Sequence, residues 1–208
     1  MLFRSEMIGF YITKHPLARF EKTLRTYSTC STSALRGRRD GEEVLIGGII
    51  SKVKFTVTRR TGEKMAIVTL EDLAGTVETL VFPATFIKVS ALVKQDAVVF
   101  IKGRLSLREE EPKIIASEVS ALESVRMKYT KAVVIELVTA GLETSSLEKL
   151  KKVLSRYPGG IPAYLRFIKP DGNRAMLSMG SNYSIEPHEC LVHDFEKIFG
   201  RDVVSFRT

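Results

Sequence analysis

The segment VLIGGIISKVKFTVT occupies residues 44–58 and decides how this chain folds. Its alternating residues are typical of a β-strand with one buried face. The alternation predicts one face with Leu45, Ile49, Val53, Phe55 and Val57, and an opposite face with Ile46, Ile50, Lys52, Lys54, Thr56 and Thr58. Gly47 and Gly48 lie inside the strand, where a missing side chain permits the bend or bulge that a small barrel needs. We therefore expect a barrel corner at this pair.

Four more strands and one short helix follow this segment. Apolar runs between turn residues predict strands at Met65 to Leu70, Thr76 to Phe82, Val98 to Leu107 and Lys113 to Leu122. Pro83 stops the third strand, because proline cannot donate to the ladder, and residues 84–93 carry apolar residues at helical spacing. Five strands with one helix between the third and the fourth predict an OB-fold over residues 44–124, a small β-barrel with the helix closing one end.

The last third of the chain predicts a second domain over residues 125–208. Its patterns place a strand at Ala132 to Val138, a helix at Thr144 to Ser155, strands at Ala163 to Ile168 and Arg174 to Ser178, a helix at Pro187 to Phe199 and a strand at Val203 to Phe206. This βαββαβ order is typical of a split-βαβ sandwich. The predicted fold class is therefore α+β: a five-stranded OB-fold β-barrel followed by a small α+β, βαββαβ-like C-terminal domain.

The remaining segment, residues 1–43, is interpreted as an N-terminal connecting segment and linker. Residues 28–43 are small and polar without a usable period, which predicts an exposed linker into the barrel. Two cysteines far apart in sequence, no signal peptide and no apolar run of the roughly 20 residues needed to span a bilayer favour reduced thiols in a cytoplasmic protein.

Charge limits the functions that the barrel can have. The chain has 208 residues and a net charge of +8, with 11 basic against 10 acidic residues in 44–124. Because the predicted barrel is nearly neutral, any binding of an anion depends on local clusters of cations. OB-folds hold single strands with cations for the phosphates and flat side chains for base stacking.

Such clusters occur on the first and fourth strands and in the loops after them. The candidate nucleic-acid-binding residues are Lys52, Lys54, Arg59, Arg60, Lys64, Phe100, Lys102, Arg104 and Arg108. Phe82 and Phe100 are the candidate stacking residues, although either ring also suits the core, and most surface lysines are only solvated. Glu109 to Glu111 repel phosphate, so we expect the strand to avoid this loop or the triplet to face solvent.

The sequence offers no set of catalytic residues, and we expect no metal and no cofactor in this chain. His188 and His193 are spaced five apart, whereas a zinc-protease helix needs its histidines four apart. On a helix this spacing turns them away from each other by about 140°. We find no Gly-rich phosphate loop, nucleophile elbow or suitably spaced pair of carboxylates.

Two phrases carry a resemblance to a known family. Residues 47–83, GGIISKVKFTVTRRTGEKMAIVTLEDLAGTVETLVFP, and residues 100–119, FIKGRLSLREEEPKIIASEV, closely resemble the OB domain near the C-terminus of bacterial DNA polymerase III alpha subunits. Residues 8–17, IGFYITKHPL, look like the segment before that domain, and residues 174–206 resemble the family's C-terminal domain. The opening MLFRSE departs from the family pattern, so we expect a C-terminal fragment or split product.

The resemblance implies both a function and what this chain lacks. Family members use palm-domain aspartates that chelate two metal ions, with magnesium as the cofactor, and no residue here matches that motif. The barrel is expected to bind single-stranded template DNA, and the C-terminal domain to dock on the clamp-loader tau subunit, with the tail from Arg201 to Thr208 in the contact surface. A stand-alone RNA- or tRNA-binding module, and a protein-interaction module with the barrel as a spacer, stay open as alternatives.

Overall fold

The computed structural model describes residues 16–140 and 142–208. Contacts divide the chain after Leu122, and the second unit is Glu123–Thr208; each unit has its own hydrophobic core. Within the described ranges, no helix is long and apolar enough to cross a membrane. The opening MLFRSE lies outside the described residues, and so do residues 8–15 of the family-like segment 8–17.

The first unit is a closed barrel with a helix at one end. Its elements are α1 (Glu21–Tyr27), a 3-10 helix (Thr32–Gly37), β1 (Glu43–Val57), β2 (Lys64–Glu71), β3 (Thr76–Val81), α2 (Pro83–Val89), β4 (Val98–Ser106) and β5 (Lys113–Ala121). The barrel order is β1-β2-β3-β5-β4, with β3 and β5 parallel and the other pairs antiparallel. Val89 and Val93, at and after the end of α2, are buried in the barrel core. The predicted five-stranded OB-fold barrel is confirmed.

Strand β1 contains a bulge that exchanges its two faces. Ile50 pairs with Leu70 of β2 and Lys52 pairs with the preceding residue of β2, so Ser51 has no partner in the ladder. An extra residue reverses the side of the sheet that every later residue faces. Ile46 and Ile50 before the bulge are fully buried, which corrects their predicted place on the face with Lys52 and Lys54.

The glycine pair lies where β1 leaves one neighbouring strand for the other. Residues up to Ile49 pair with β4, and residues from Ile49 onward pair with β2. A Cβ on Gly48 would lie 2.4 Å from the carbonyl oxygen of Glu71, and one on Gly47 would lie 2.5 Å from the ring of Phe100. The corner therefore depends on a close approach that a side chain would prevent.

The segment before the barrel is packed, not an exposed linker. Leu35 is 1% exposed and belongs to the barrel core, and the partly buried Cys30 packs against that core. Burial raises the pKa of the Cys30 thiol, although a hydrogen bond with Thr29 opposes the shift. Asp72, after β2, fixes this segment by accepting hydrogen bonds from the backbone N–H and hydroxyl of Thr32 at 2.7 and 2.6 Å. The prediction of an exposed linker failed because a single apolar residue, Leu35, among polar ones produces no periodic pattern in the sequence.

The second unit packs helices against a four-stranded sheet. Its elements are α3 (Leu122–Tyr129), β6 (Ala132–Val138), α4 (Thr144–Leu154), β7 (Pro158–Ile161), β8 (Ala163–Ile168), β9 (Arg174–Ser178), a 3-10 helix (Ser181–Tyr183), α5 (Glu189–Phe199) and β10 (Val204–Arg207). Leu150 and Phe195 anchor the buried faces of α4 and α5 in this core. Helix α5 begins after Pro187, because the Nδ1 of His188 accepts a hydrogen bond from the backbone N–H of Cys190 at 3.1 Å and caps the helix.

The sheet order differs from the split arrangement that the sequence predicts. The order is β10-β6-β8-β9, and the parallel strands β6 and β8 are direct neighbours. In a split-βαβ unit another strand lies between those two. Here the turn from Lys169 to Asn173 returns β9 along the outer edge of β8 instead. The order of elements along the chain does not determine which strands pair, so this part of the prediction is wrong.

We predict that Gly48→Ala destabilises the first unit. Replacing a strand glycine by alanine gains up to about 1 kcal/mol in chain entropy, but the close backbone oxygen forces a shift that costs about 1–3 kcal/mol. The expected net result is a lower free energy of unfolding in urea. Gly37→Ala is the matched control, since among the described residues no heavy atom beyond its chain neighbours lies within 4 Å of its Cβ position. Equal stability of both variants would contradict the crowded corner.

We predict that Asp72→Asn destabilises the packed segment. The Asp72 carboxylate also accepts hydrogen bonds from the backbone N–H groups of Ala74 and Gly75 at 2.7 and 2.9 Å. An amide replaces one acceptor oxygen by a donor; with the amide oxygen at the Oδ1 position, the backbone N–H of Thr32 loses its acceptor, Oδ2. An N–H group left unpaired in this way costs about 1–3 kcal/mol. Thermal unfolding measures the loss. Glu110→Gln removes the same charge from an exposed loop residue, so a matching loss there would show that charge alone is responsible.

Candidate nucleic-acid interface

Cross-strand pairs align five residues on the outside of the barrel. Lys54 pairs with Ile67, Ile67 with Leu80, Leu80 with Ile115, and Ile115 with Arg104. The residues on either side of the three apolar members along their strands are buried in the barrel, so this set, here called the outer row, faces away from the core. The outer row has an apolar centre with one lysine and one arginine at its ends.

The loop after β1, residues 58–63, presents two exposed arginines beside the outer row. The backbone N–H of Thr58 donates to the carbonyl of Glu63, and the N–H of Gly62 donates to the carbonyl of Thr58. The hydroxyl of Thr61 donates to the Glu63 carboxylate at 2.7 Å, and this carboxylate is the one acidic group of the loop, against two guanidinium groups. In the described part of the chain, the guanidinium groups of Arg59 and Arg60 make no ion pair or hydrogen bond. They are therefore available to an anionic ligand.

A groove of about 970 Å³ lies between this loop and α2. Ile67 of the outer row and Met65 lie on one part of its wall, and Phe82, which is 39% exposed, and Ile87 lie on the side of α2. Cations and exposed apolar side chains therefore line the same depression. This combination suits the phosphates and bases of a single strand.

The other end of the face lies near the acidic loop between β4 and β5. The Nζ of Lys113 lies 2.9 Å from Glu78 and 2.6 Å from Glu109, and these two carboxylates raise its pKa, Glu109 most. Arg36 pairs with Glu111 at 2.6 Å. Two of the three loop carboxylates are thus partly neutralised, although such exposed pairs are worth little in free energy. This loop repels a phosphate less than its sequence suggests.

The structure brings most of the predicted cations to this face. Lys52 is exposed and pairs with Thr69, next to the outer row, and Arg108 lies in the loop at its far end. Lys64 pairs with Val57 and therefore lies on the other side of β2, beside the end of the barrel. Lys102 pairs with Leu45 on the outside of β4, and its Nζ lies 2.8 Å from Glu43.

Phe100 is not available for base stacking, which corrects its place among the predicted site residues. It faces outward from β4 but is fully buried under α1, with its ring edge-on to Tyr27 at 6.2 Å. The absence of a side chain at Gly47 leaves room for this ring. Phe82, the other predicted stacking residue, is partly exposed at the groove.

Sequence reasoning missed the apolar centre of the outer row. Ile67, Leu80 and Ile115 each lie between two core residues, so each reads as part of a short apolar run. The signal was one apolar residue at an outward position in each of three barrel strands, where a polar one is expected. Within the described ranges, no group of three or more His, Cys, Asp or Glu side chains is placed to hold a metal ion.

Comparison with known proteins agrees with this geometry. The tRNA anti-codon family model, described as an OB-fold nucleic acid binding domain, matches residues 44–122. DNA polymerase III subunit alpha of Bacillus subtilis (strain 168) is 26% identical over 100% of this chain, and that of Escherichia coli (strain K12) is 26% identical over 96%. This chain spans 18% and 17% of those two relatives. It does not span their catalytic region.

A solved structure, OBody AM1L10 bound to hen egg-white lysozyme, is 23% identical, with a TM-score of 0.36 over 44% of this chain and 90% of that one. So low a TM-score adds nothing to the fold, which follows from the barrel's own hydrogen bonds. Residues 44–122 thus form an OB-fold barrel that matches the model of a nucleic acid binding domain, in a chain that is similar over 96–100% of its length to alpha subunits of bacterial DNA polymerase III.

Proposed function

We propose that this chain is the C-terminal part of a bacterial replicative DNA polymerase III alpha subunit. In this proposal the barrel binds single-stranded template DNA, and the second unit docks the polymerase on the clamp-loader tau subunit. The similarity to such subunits over the whole chain supports the first statement. The observation that carries DNA binding is the outer row, whose apolar centre lies between Lys54 and Arg104. The outer row lies next to the loop of residues 58–63, here called the arginine loop.

Binding in this proposal combines two physical effects. Phosphates lie against Arg59, Arg60 and the cations at the ends of the outer row, and they release condensed counterions when they bind. Bases lie against the apolar centre and the groove, where burial of their faces removes apolar surface from water. Neither effect reads a particular base, which suits a site that must accept any template sequence.

RNA binding is the second candidate, because the matching family model carries the name of the tRNA anti-codon. Cations and apolar side chains do not distinguish the two backbones, since only a contact to the 2′-hydroxyl does so. Titrating DNA and RNA oligonucleotides of equal sequence separates the candidates. Tighter binding of the RNA would favour the RNA-binding module.

We predict that Arg59→Ala combined with Arg60→Ala weakens binding of single-stranded DNA and flattens its salt dependence. For single strands the slope of log K against log salt is about −0.7 per neutralised phosphate, so losing two contacts should reduce it by about 1.4. Fluorescence anisotropy of a labelled oligonucleotide at several salt concentrations measures both quantities. Lys151→Ala combined with Lys152→Ala on α4 removes the same charge from exposed positions in the other unit and serves as the control.

Three other results would contradict the proposal in different ways. An unchanged slope in the double arginine variant would remove the loop from the site. An equal loss in the α4 control would show that binding follows net charge and not the face of the barrel. Absence of wild-type binding at low salt would leave the chain as an interaction module with the barrel as a spacer.

We predict that the full chain binds the purified tau subunit through its second unit. Exposed apolar side chains on the edge strand β9, Met176 at 57% and Leu177 at 55%, make this strand a suitable place to test. Replacing both by serine should weaken binding in surface plasmon resonance, whereas the double arginine variant of the barrel should bind as wild type does. If the double serine variant binds tau as tightly as wild type does, β9 is not part of the contact surface. If the wild-type chain does not bind tau at all, docking on tau is rejected.

A further inference from the structure

Three exposed apolar side chains lie at the end of the barrel beside α2. Phe55 is 65% exposed, Val57 is 55% exposed and Ile87 is 75% exposed. The first two lie on the same side of β1, and Val57 and Ile87 both line the groove. Single exposed apolar residues are ordinary, but a joined set of them commonly marks a binding surface. This set is called the end patch below.

The bulge in β1 explains why the Phe55 ring is presented to solvent. After Ser51 the strand turns Val53 and Phe55 to the core side, opposite Val68 and Ala66. Val53 still packs against the core, but Phe55 lies one pair further on, where Phe86 packs against the core instead. The rings of Phe55 and Phe86 lie 5.9 Å apart and are tilted by 56°. Phe86 thus supports Phe55 from one side and leaves much of its ring open.

The charges around the end patch favour an anionic ligand. Lys64 pairs with Val57 and so lies on its side of the sheet. Arg59 and Arg60 line the groove together with Val57, and the carboxylate of Glu63, their acidic neighbour, accepts a hydrogen bond from Thr61. A ligand for this place must therefore combine a flat apolar part with negative charge. An unpaired base and its neighbouring phosphates have both properties, and base stacking on an aromatic ring accepts any sequence.

We propose that Phe55 is a base-stacking residue, with the phosphates on either side of the stacked base held by Arg59, Arg60 and Lys64. This inference rests on the proposed binding of single-stranded DNA. It defines a path for the bound DNA strand, from the outer row past the arginine loop to the α2 end of the barrel. It also replaces Phe100, which is buried, as the aromatic partner of a base.

The test combines substitutions at Phe55 with oligonucleotides that lack one base. A single abasic position is moved along the DNA, and affinities are measured by anisotropy for wild type, Phe55→Leu, Phe55→Trp and Val138→Ala. Leucine keeps the apolar character but has no ring, tryptophan keeps the ring, and Val138, which is 59% exposed, is a comparable apolar residue in the other unit. Because the side chain is exposed, all variants should unfold at the wild-type temperature.

We expect Phe55→Leu to bind intact DNA roughly tenfold more weakly, within the range known for loss of one stacked base. One abasic position should weaken wild-type binding by a similar factor and leave the leucine variant nearly unaffected, because the same contact is already lost. Phe55→Trp should bind at least as tightly as wild type and keep the effect of that abasic position. Val138→Ala should match wild type throughout.

Three outcomes would overturn the inference. Wild-type affinity in Phe55→Leu would show that the ring makes no contact, and equal weakening by leucine and tryptophan would indicate a role of the residue other than stacking. An abasic effect of equal size in wild type and the leucine variant would place the base elsewhere. In each case the salt slope of the double arginine variant still reports on the proposed function, whereas no wild-type binding at all would reject both.

Discussion

The passage of β1 from one neighbouring strand to another is the constraint on which the barrel depends. A single continuous strand pairs first with β4 and then with β2, and it makes this change where two glycines lie against a backbone carbonyl and an aromatic ring. Three residues later the bulge at Ser51 reverses the faces of the strand. Without the close approach the ladder could not bend, and without the bulge Lys52 and Lys54 would point into the core. The closure of the barrel and the position of the cations thus come from one short segment.

Much of the first unit could be predicted from its alternation of apolar residues and its turn signals. Five strands and an interposed helix have strong periodic patterns, and their order alone indicates the barrel. The bulge has no such pattern, because one extra residue changes the faces without changing the composition, and the faces of Ile46 and Ile50 were therefore assigned wrongly. Leu35 and Thr32 were missed for a related reason: the segment that holds them packs through single side chains and one carboxylate, and neither recurs along the sequence.

In the candidate site, too, features that depend on nearby residues were predictable from the sequence, whereas features that depend on contacts between distant strands were not. Its cations were visible in the sequence, because charged residues on barrel strands and loops are exposed wherever the strands lie. Its apolar centre was not, because Ile67, Leu80 and Ile115 come from three strands and meet only through cross-strand pairing. Phe100 failed as a site residue because α1 covers the outside of β4, and no pattern within β4 reports a helix that lies more than 70 residues earlier in the chain. In the second unit, likewise, element order was readable but strand neighbours were not.

The parallel ladder between β3 and β5 has a consequence for how the barrel forms. It contains three residue pairs, Glu78 with Lys113, Thr79 with Ile114 and Leu80 with Ile115, and it is the shortest ladder in the barrel. Its partners lie 35 residues apart in sequence, whereas β2 and β3 are joined by a tight turn. Chain entropy opposes early contact between distant segments. The ladder between β1 and β4 spans even more residues but has seven pairs to offset that entropy, whereas this one has three, so it should close late in folding. This late step then also assembles the ligand face, since Lys54, Ile67 and Leu80 of the outer row lie on one side of that seam and Ile115 and Arg104 lie on the other.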